Sequence, residues 1–144
     1  MAAPEPAEAG TTQVFRPCNR AFLVYYVAMA LCFLGPQINP AAGLPPWLGI
    51  LLGLILVAAV VYMRWCQEYQ VTSRGVSKVW RWGDRRQEIS WENLGEVLVR
   101  RGLTQTLLQV GNVLIRDKSG GPDLFWFGLA DPKGVKALIE ERSK

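Results

Sequence analysis

Catalysis at neutral pH leans first on histidine, which exchanges protons near pH 7 and is the commonest metal ligand. This chain of 144 residues contains none. Its later carboxylates, Glu68, Asp84, Glu88, Glu92, Glu96, Asp117, Asp123 and Asp131, are scattered over turns and strand edges instead of forming the close pair that acid/base work requires. Glu88 and Glu96 could face each other across neighbouring strands, but a solvated sheet face is the simpler account. The three cysteines, Cys18, Cys32 and Cys66, are odd in number, far apart and in or beside apolar runs, which suggests neither a disulfide framework nor a metal site. A lipid-modified Cys18 would need an apolar leader before it, and the apolar run comes after it. Gly120-Gly121-Pro122 lies between two expected strands and opens no helix, so it reads as a hairpin turn and not as a phosphate cradle. The expectation is a protein with no catalytic, metal or cofactor site and no small-molecule substrate.

Two groups of residues have the chemistry of recognition. Arg64, Arg74, Lys78, Arg81, Arg85 and Arg86 are interleaved with Trp65, Trp80 and Trp82. Held near a bilayer, each such cation contributes on the order of 1 kcal/mol to attraction toward anionic headgroups. Membrane topology and solubility alone would also account for them. The second group is Trp80, Trp82 and Trp126, candidates for contact with a partner. Alternation along a strand puts Trp80 and Trp82 on one face with Lys78, and Trp126 opposite Phe125 and Phe127. At least one group is then expected outside the core, and an exposed aromatic patch marks a protein contact or a surface lying on membrane.

The elements that must position these residues follow from where the charges lie. The net charge is +4, and residues 64–144 hold fourteen basic and ten acidic groups against two of each in residues 1–63. That excess suits an anionic leaflet and falls short of the dense basic stripe of a nucleic-acid binder. No charged residue occurs between Arg20 and Arg64, a gap of 43 residues. Two membrane crossings of roughly 20 residues and a tight turn need about this much. The first run, near residues 20–38, could alone pass for a signal peptide; the second, near 45–65 and opened by Pro45 and Pro46, makes a hairpin over residues 17–66 the simpler account. The connection between the runs is uncharged while Arg16, Arg20, Arg64, Arg74 and Lys78 flank the other ends, so both termini are expected in the cytoplasm. Gly49 and Gly53 form a GxxxG spacing for close helix packing, in the first instance within the hairpin. Residues 1–16 have the composition of a disordered tail.

Beyond the hairpin the period changes from helical to alternating. Strands are expected over residues 68–72, 76–82, 86–91, 95–101, 112–117 and 125–129, with a short helix at Leu103, Leu107 and Leu108. A last helix starts with Asp131 as N-cap and Pro132 at its first position, and shows Val135, Leu138 and Ile139 on one face. About six strands and two helices make residues 67–144 a compact β-rich α+β domain.

Three stretches carry a family resemblance: EYQVTSRGVSKVWRWG, RRQEISWENLGEVLVRRGLTQTLLQVGNVLIRD and FGLADPKGVKALI. They cover most of residues 68–139, and the chain resembles the bacterial pleckstrin-homology-like (PH-like) proteins in which a transmembrane hairpin precedes a sheet-and-helix domain. The resemblance implies a bent sandwich or barrel of six to seven strands closed by the C-terminal helix, and a non-catalytic role. It names no ligand, because fold alone does not give function. Eukaryotic PH domains take phosphoinositides at the first strand-turn-strand, corresponding here to residues 71–79, but Ser73-Arg74-Gly75 is too short for the long basic loop this uses. The resulting expectation is a membrane-anchored interaction module of the bacterial cytoplasmic membrane, an accessory or assembly subunit that docks on a membrane protein complex or a second copy. The alternative is a peripheral sensor of anionic lipid headgroups.

Overall fold

The computed structural model describes residues 12–144; the expectation of a disordered tail over residues 1–11 lies outside the described residues. The rest of that expectation is corrected. Residues Gln13–Phe15 form a strand, β1, paired antiparallel with β2 (Gln67–Val71) through Gln13↔Val71 and Phe15↔Tyr69. Three residues carry too little alternation to read as a strand by themselves. What holds them is tertiary: the Phe15 ring reaches Trp126, with centroids 6.4 Å apart.

A 3-10 turn at Asn19–Phe22 leads into helix α1 (Leu23–Ile38), which carries Pro36 in its last turn, where its missing N–H leaves the Cys32 carbonyl without its helical donor. The connection is closed by the Asn39 side chain, which accepts from the Ala41 N–H at 3.2 Å, and by Gly43 at φ 73°. Helix α2 (Pro46–Trp65) begins at the Pro45-Pro46 pair. Gly49, Gly53 and Val60 are its buried positions. A Cβ on Gly49 would meet the Cys32 carbonyl and the Pro36 ring, and one on Gly53 would meet the Phe33 ring. The GxxxG spacing is therefore used inside the hairpin. Most of the remaining Leu, Ile and Val side chains of both helices face outward, and both helices are long and apolar enough to cross a membrane.

One residue, Cys66, separates α2 from β2. The chain then makes β3 (Gly75–Trp80), β4 (Arg85–Ser90), β5 (Leu94–Arg100), helix α3 (Leu103–Leu107), β6 (Gly111–Asp117), β7 (Leu124–Leu129) and helix α4 (Pro132–Arg142). Among the described residues the strands form two antiparallel sheets, ordered β1-β2-β3-β4 and β5-β6-β7. Alternate residues of the first sheet (Tyr69, Val71, Val76, Ile89) meet those of the second (Val97, Val113, Ile115, Leu124, Trp126), and Val135 and Ile139 of α4 close the core. The helix is capped as its sequence implies, Asp131 Oδ1 accepting from the Gly134 N–H at 3.0 Å. This is the α+β sandwich expected, with β1 as the added strand.

The two sheets are also joined by polar side chains. Tyr69, Lys78 and Gln87 stand opposite one another on β2, β3 and β4. Tyr69 and Lys78 reach the outer edge of β7 at residues 127 and 125, and Gln87 reaches residues 122 and 123 just before it. The Tyr69 hydroxyl accepts from the Phe127 N–H at 2.9 Å and donates to its carbonyl at 3.3 Å. Lys78 Nζ donates to the Phe125 carbonyl at 3.0 Å, and Gln87 Nε2 donates to the Pro122 and Asp123 carbonyls at 2.9 and 3.2 Å. Three side chains thus take the place of a neighbouring strand, satisfying main-chain groups that an edge would otherwise leave open.

Candidate functional site

The hairpin and the β domain meet at two places. On one side α2 runs through Cys66 into β2, and the Arg81 N–H donates to the Cys66 carbonyl at 2.8 Å. On the other, the 3-10 turn before α1 lies against the end of β7. The Cys18 N–H donates to the Gly128 carbonyl at 2.7 Å, and Phe22 is fully buried with its ring 5.6 Å from that of Phe127. Gly128 sits at φ 68°, and a Cβ there would come within 2.7 Å of the Ala21 Cβ. Only glycine combines that backbone with so close an approach. Charge reinforces the junction: Glu68 at the base of β2 pairs with Arg16 and, at 3.8 Å, with Arg81.

The three candidate tryptophans occupy three different environments. Trp126 is fully buried and stacks on Tyr69, with centroids 5.3 Å apart and planes at 15°. It belongs to the core, which corrects its expected role as a contact. Phe125, Trp126 and Phe127 are all apolar, so alternation had no contrast by which to choose the inward residue; the β6–β7 register does so by pairing Trp126 with Val113. Trp80 is half-buried on the inner face, with Lys78 Nζ 5.0 Å and Arg85 Cζ 5.6 Å from its ring. Trp82 does not continue that strand. It stands in the turn between β3 and β4, 76% exposed, followed by Gly83 at φ 96° and Asp84 at φ 51°.

The six cations do not form one patch. Arg64 closes α2 at the junction, and Arg81 and Arg85 flank the Trp82 turn, whose strands pair with the first residue of β2 (Gln67↔Trp80↔Arg85). Arg74 sits in the turn at the far end of β2, about 17 Å away for a strand of this length. Arg86 pairs with Glu88 at 3.2 Å on the outer face of the first sheet. Lys78 points into the sandwich, and desolvation there pushes its ammonium below the usual lysine range. Its expected place on a lipid-facing surface is thereby corrected: its inward position in β3 gives it a structural bond to Phe125. Glu88 and Glu96 lie in different sheets and form no carboxylate pair, and Glu96 pairs with Arg116 at 3.6 Å.

Sequence reasoning missed one feature. Leu103 and Leu107, four residues apart on α3, are 94% and 84% exposed. A helix of five residues covers the domain with one side only, which Leu108 and Val110 supply as the chain turns into β6. Gly111, the first residue of β6, pairs with Leu129, next to the docked Gly128. The loops carrying Trp82, Leu103 and Leu107 therefore both return to strand ends beside the hairpin. Among the described residues no group of three potential metal ligands converges. Asp117, whose carboxylate accepts from the Ser119 hydroxyl and N–H, is held below the usual carboxylate range by those bonds and organises only the turn between β6 and β7.

Two antiparallel sheets closed by a C-terminal helix, with a short turn between the first strands of the meander, define a PH-like domain, a class built for binding. The chain belongs to the bacterial PH domain family, which it matches over residues 21–143. No curated protein and no solved structure gives a significant match. The family match begins at Ala21, within the buried turn that docks on β7.

Proposed function

We propose that this protein is a non-enzymatic, membrane-anchored PH-like interaction module, an accessory or assembly subunit of a larger membrane protein complex. In this reading α1 and α2 cross the bacterial cytoplasmic membrane and both termini lie in the cytoplasm. The charge distribution supports that orientation: the loop between the helices is uncharged and the arginines cluster at the opposite ends. The observation that carries the proposal is the double attachment of the β domain. One residue joins it to α2, and β1 with the buried Phe22 ties it to α1. A domain so held presents Trp82 in one orientation close to the bilayer, where its partner would be another membrane protein or a second copy.

A photo-crosslinking residue placed at position 82 in the full chain tests this in intact membranes. The expected result is one discrete crosslinked product, absent when the same residue is placed at the distant Arg74. No product from position 82, with a full chain that remains monomeric and alone in mild detergent, would overturn the proposal.

The lipid-sensor alternative rested on the cations acting together over the domain surface. Lys78 inside the sandwich, Arg86 paired on the outer face and Arg74 at the far end leave Arg64, Arg81 and Arg85 near the hairpin, and Arg81 shares Glu68, so the domain surface itself offers no dense basic patch. The interaction module is the better-supported reading.

A further inference from the structure

Two cavities lie at the end of α2, and the same two residues, Arg64 and Trp65, line both. The first, about 340 Å³, is an apolar groove between the helices lined by Tyr26, Met29, Val57, Val60 and Val61. The second, about 310 Å³, opens on the domain side between Arg64, Trp65, Arg16 and Pro17. We propose that the groove and the basic pocket, on either side of Arg64 and Trp65, together hold one anionic phospholipid, an acyl chain along the groove and the phosphate at Arg64. The inference rests on the reading that the two helices cross a membrane.

The charge of Arg64 is what selects the occupant. Its side chain is half-buried, and it has no acidic partner among the described residues. Arg16, by contrast, has Glu68. A guanidinium withdrawn from water without a counterion is costly, and its planar fork matches a phosphate's oxygens in a bidentate bond. Free phosphate would satisfy that fork but leave the apolar groove unused. A phospholipid fits both halves, since its charge and its chains are joined at the depth where an interfacial arginine and tryptophan sit. Trp65, 68% exposed, flanks the pocket at that level.

The test uses the full chain, purified in mild neutral detergent, with native mass spectrometry to count bound lipids after adding phosphatidylglycerol, phosphatidylcholine or inorganic phosphate. The expected result is one phosphatidylglycerol per chain, retained in preference to phosphatidylcholine and not displaced by millimolar phosphate. Arg64→Gln should weaken that retention about tenfold or more, a change equivalent to losing one charge-assisted contact. Val57→Trp, which fills the groove and leaves every charge in place, should weaken it as well, while Arg85→Gln at the Trp82 turn should not. Equal retention by Arg64→Gln and the unaltered chain, no preference over phosphatidylcholine, displacement by phosphate, or indifference to Val57→Trp would each overturn the proposal. A separate alkaline wash of native membranes distinguishes the underlying reading. If the chain is released by the wash, the membrane-spanning reading fails; if it stays and lipid retention ignores Arg64, only the lipid site fails.

Discussion

Replacing Tyr69 with Phe removes one oxygen and tests how the two sheets are joined. The ring would keep its stack on Trp126, 5.3 Å away, so the packing is little altered. What goes is the hydroxyl that takes the Phe127 N–H at 2.9 Å and gives to its carbonyl at 3.3 Å. Leaving a buried donor unsatisfied costs about 1–3 kcal/mol. Phe127 is only partly buried and the second bond is long, so about 1–2 kcal/mol is expected at neutral pH. The pH dependence sharpens the test. Burial pushes the Tyr69 hydroxyl from 10.0 up to about 12, against a smaller opposing effect of its bond to Phe127. A raised folded-state value means that the stabilisation is complete below pH 10 and is lost as pH rises from about 10 to about 12, because the unfolded chain ionises first. At about 1.4 kcal/mol per unit, the advantage of Tyr over Phe should shrink by roughly 2–3 kcal/mol across that window, enough to cancel or reverse it. Denaturant unfolding of both full-length proteins in neutral detergent, followed by tryptophan fluorescence between pH 7 and 11.5, measures the difference directly. A neutral-pH difference below about 0.5 kcal/mol, or a difference that does not change with pH, would refute the reasoning.

The same unfolding measurement separates the tryptophans: Trp126→Ala should destabilise the domain by about 3–5 kcal/mol, whereas Trp82→Ala should stay within about 0.5 kcal/mol. Equal effects would contradict their placement. Gly128→Ala should cost at least 1–2 kcal/mol, roughly, from its left-handed backbone alone, and the new Cβ should push the Ala21 turn off β7, detectable as faster proteolysis after Arg16 and Arg20. Gly53→Val should separate α1 from α2 by driving into the Phe33 ring, so that a cysteine pair engineered across the helices crosslinks less efficiently; unchanged crosslinking would argue against that packing.

The β domain was legible because its strands alternate cleanly. Val97 and Val99, and Val113 and Ile115, give a period of two, and the inward members are those the core uses, with Val99 packed at its edge. The last helix announced itself by Asp131 and Pro132. Three things were not legible, each because a distant contact decides it. Gln13–Phe15 is a strand because β2 and Trp126 are beside it, and neither is near in sequence. Phe22 reads as the start of an apolar span, yet it is buried beneath Phe127. Trp82 continues the alternation of Trp80, but the left-handed Gly83 and Asp84 end the strand before it. Of the candidate site, the basic and aromatic residue types were visible; their dispersal over the inside, outside and two ends of a sheet was not. The pairing of Arg64 with an apolar groove could not be seen either, since the groove belongs to two helices.

The pairing of β1 with β2 also bears on the order of folding. Phe15 and Tyr69 are 54 positions apart (69 minus 15), with the whole hairpin between them. Closing a flexible loop of that length costs about 3–4 kcal/mol in chain entropy, more than three paired residues return. Two packed antiparallel helices deliver the same ends side by side, and the cost falls on the hairpin instead. The first strand of the domain thus pairs only after both helices have been made and have packed. An undocked β1 would then be a chemical record of a hairpin that has not closed.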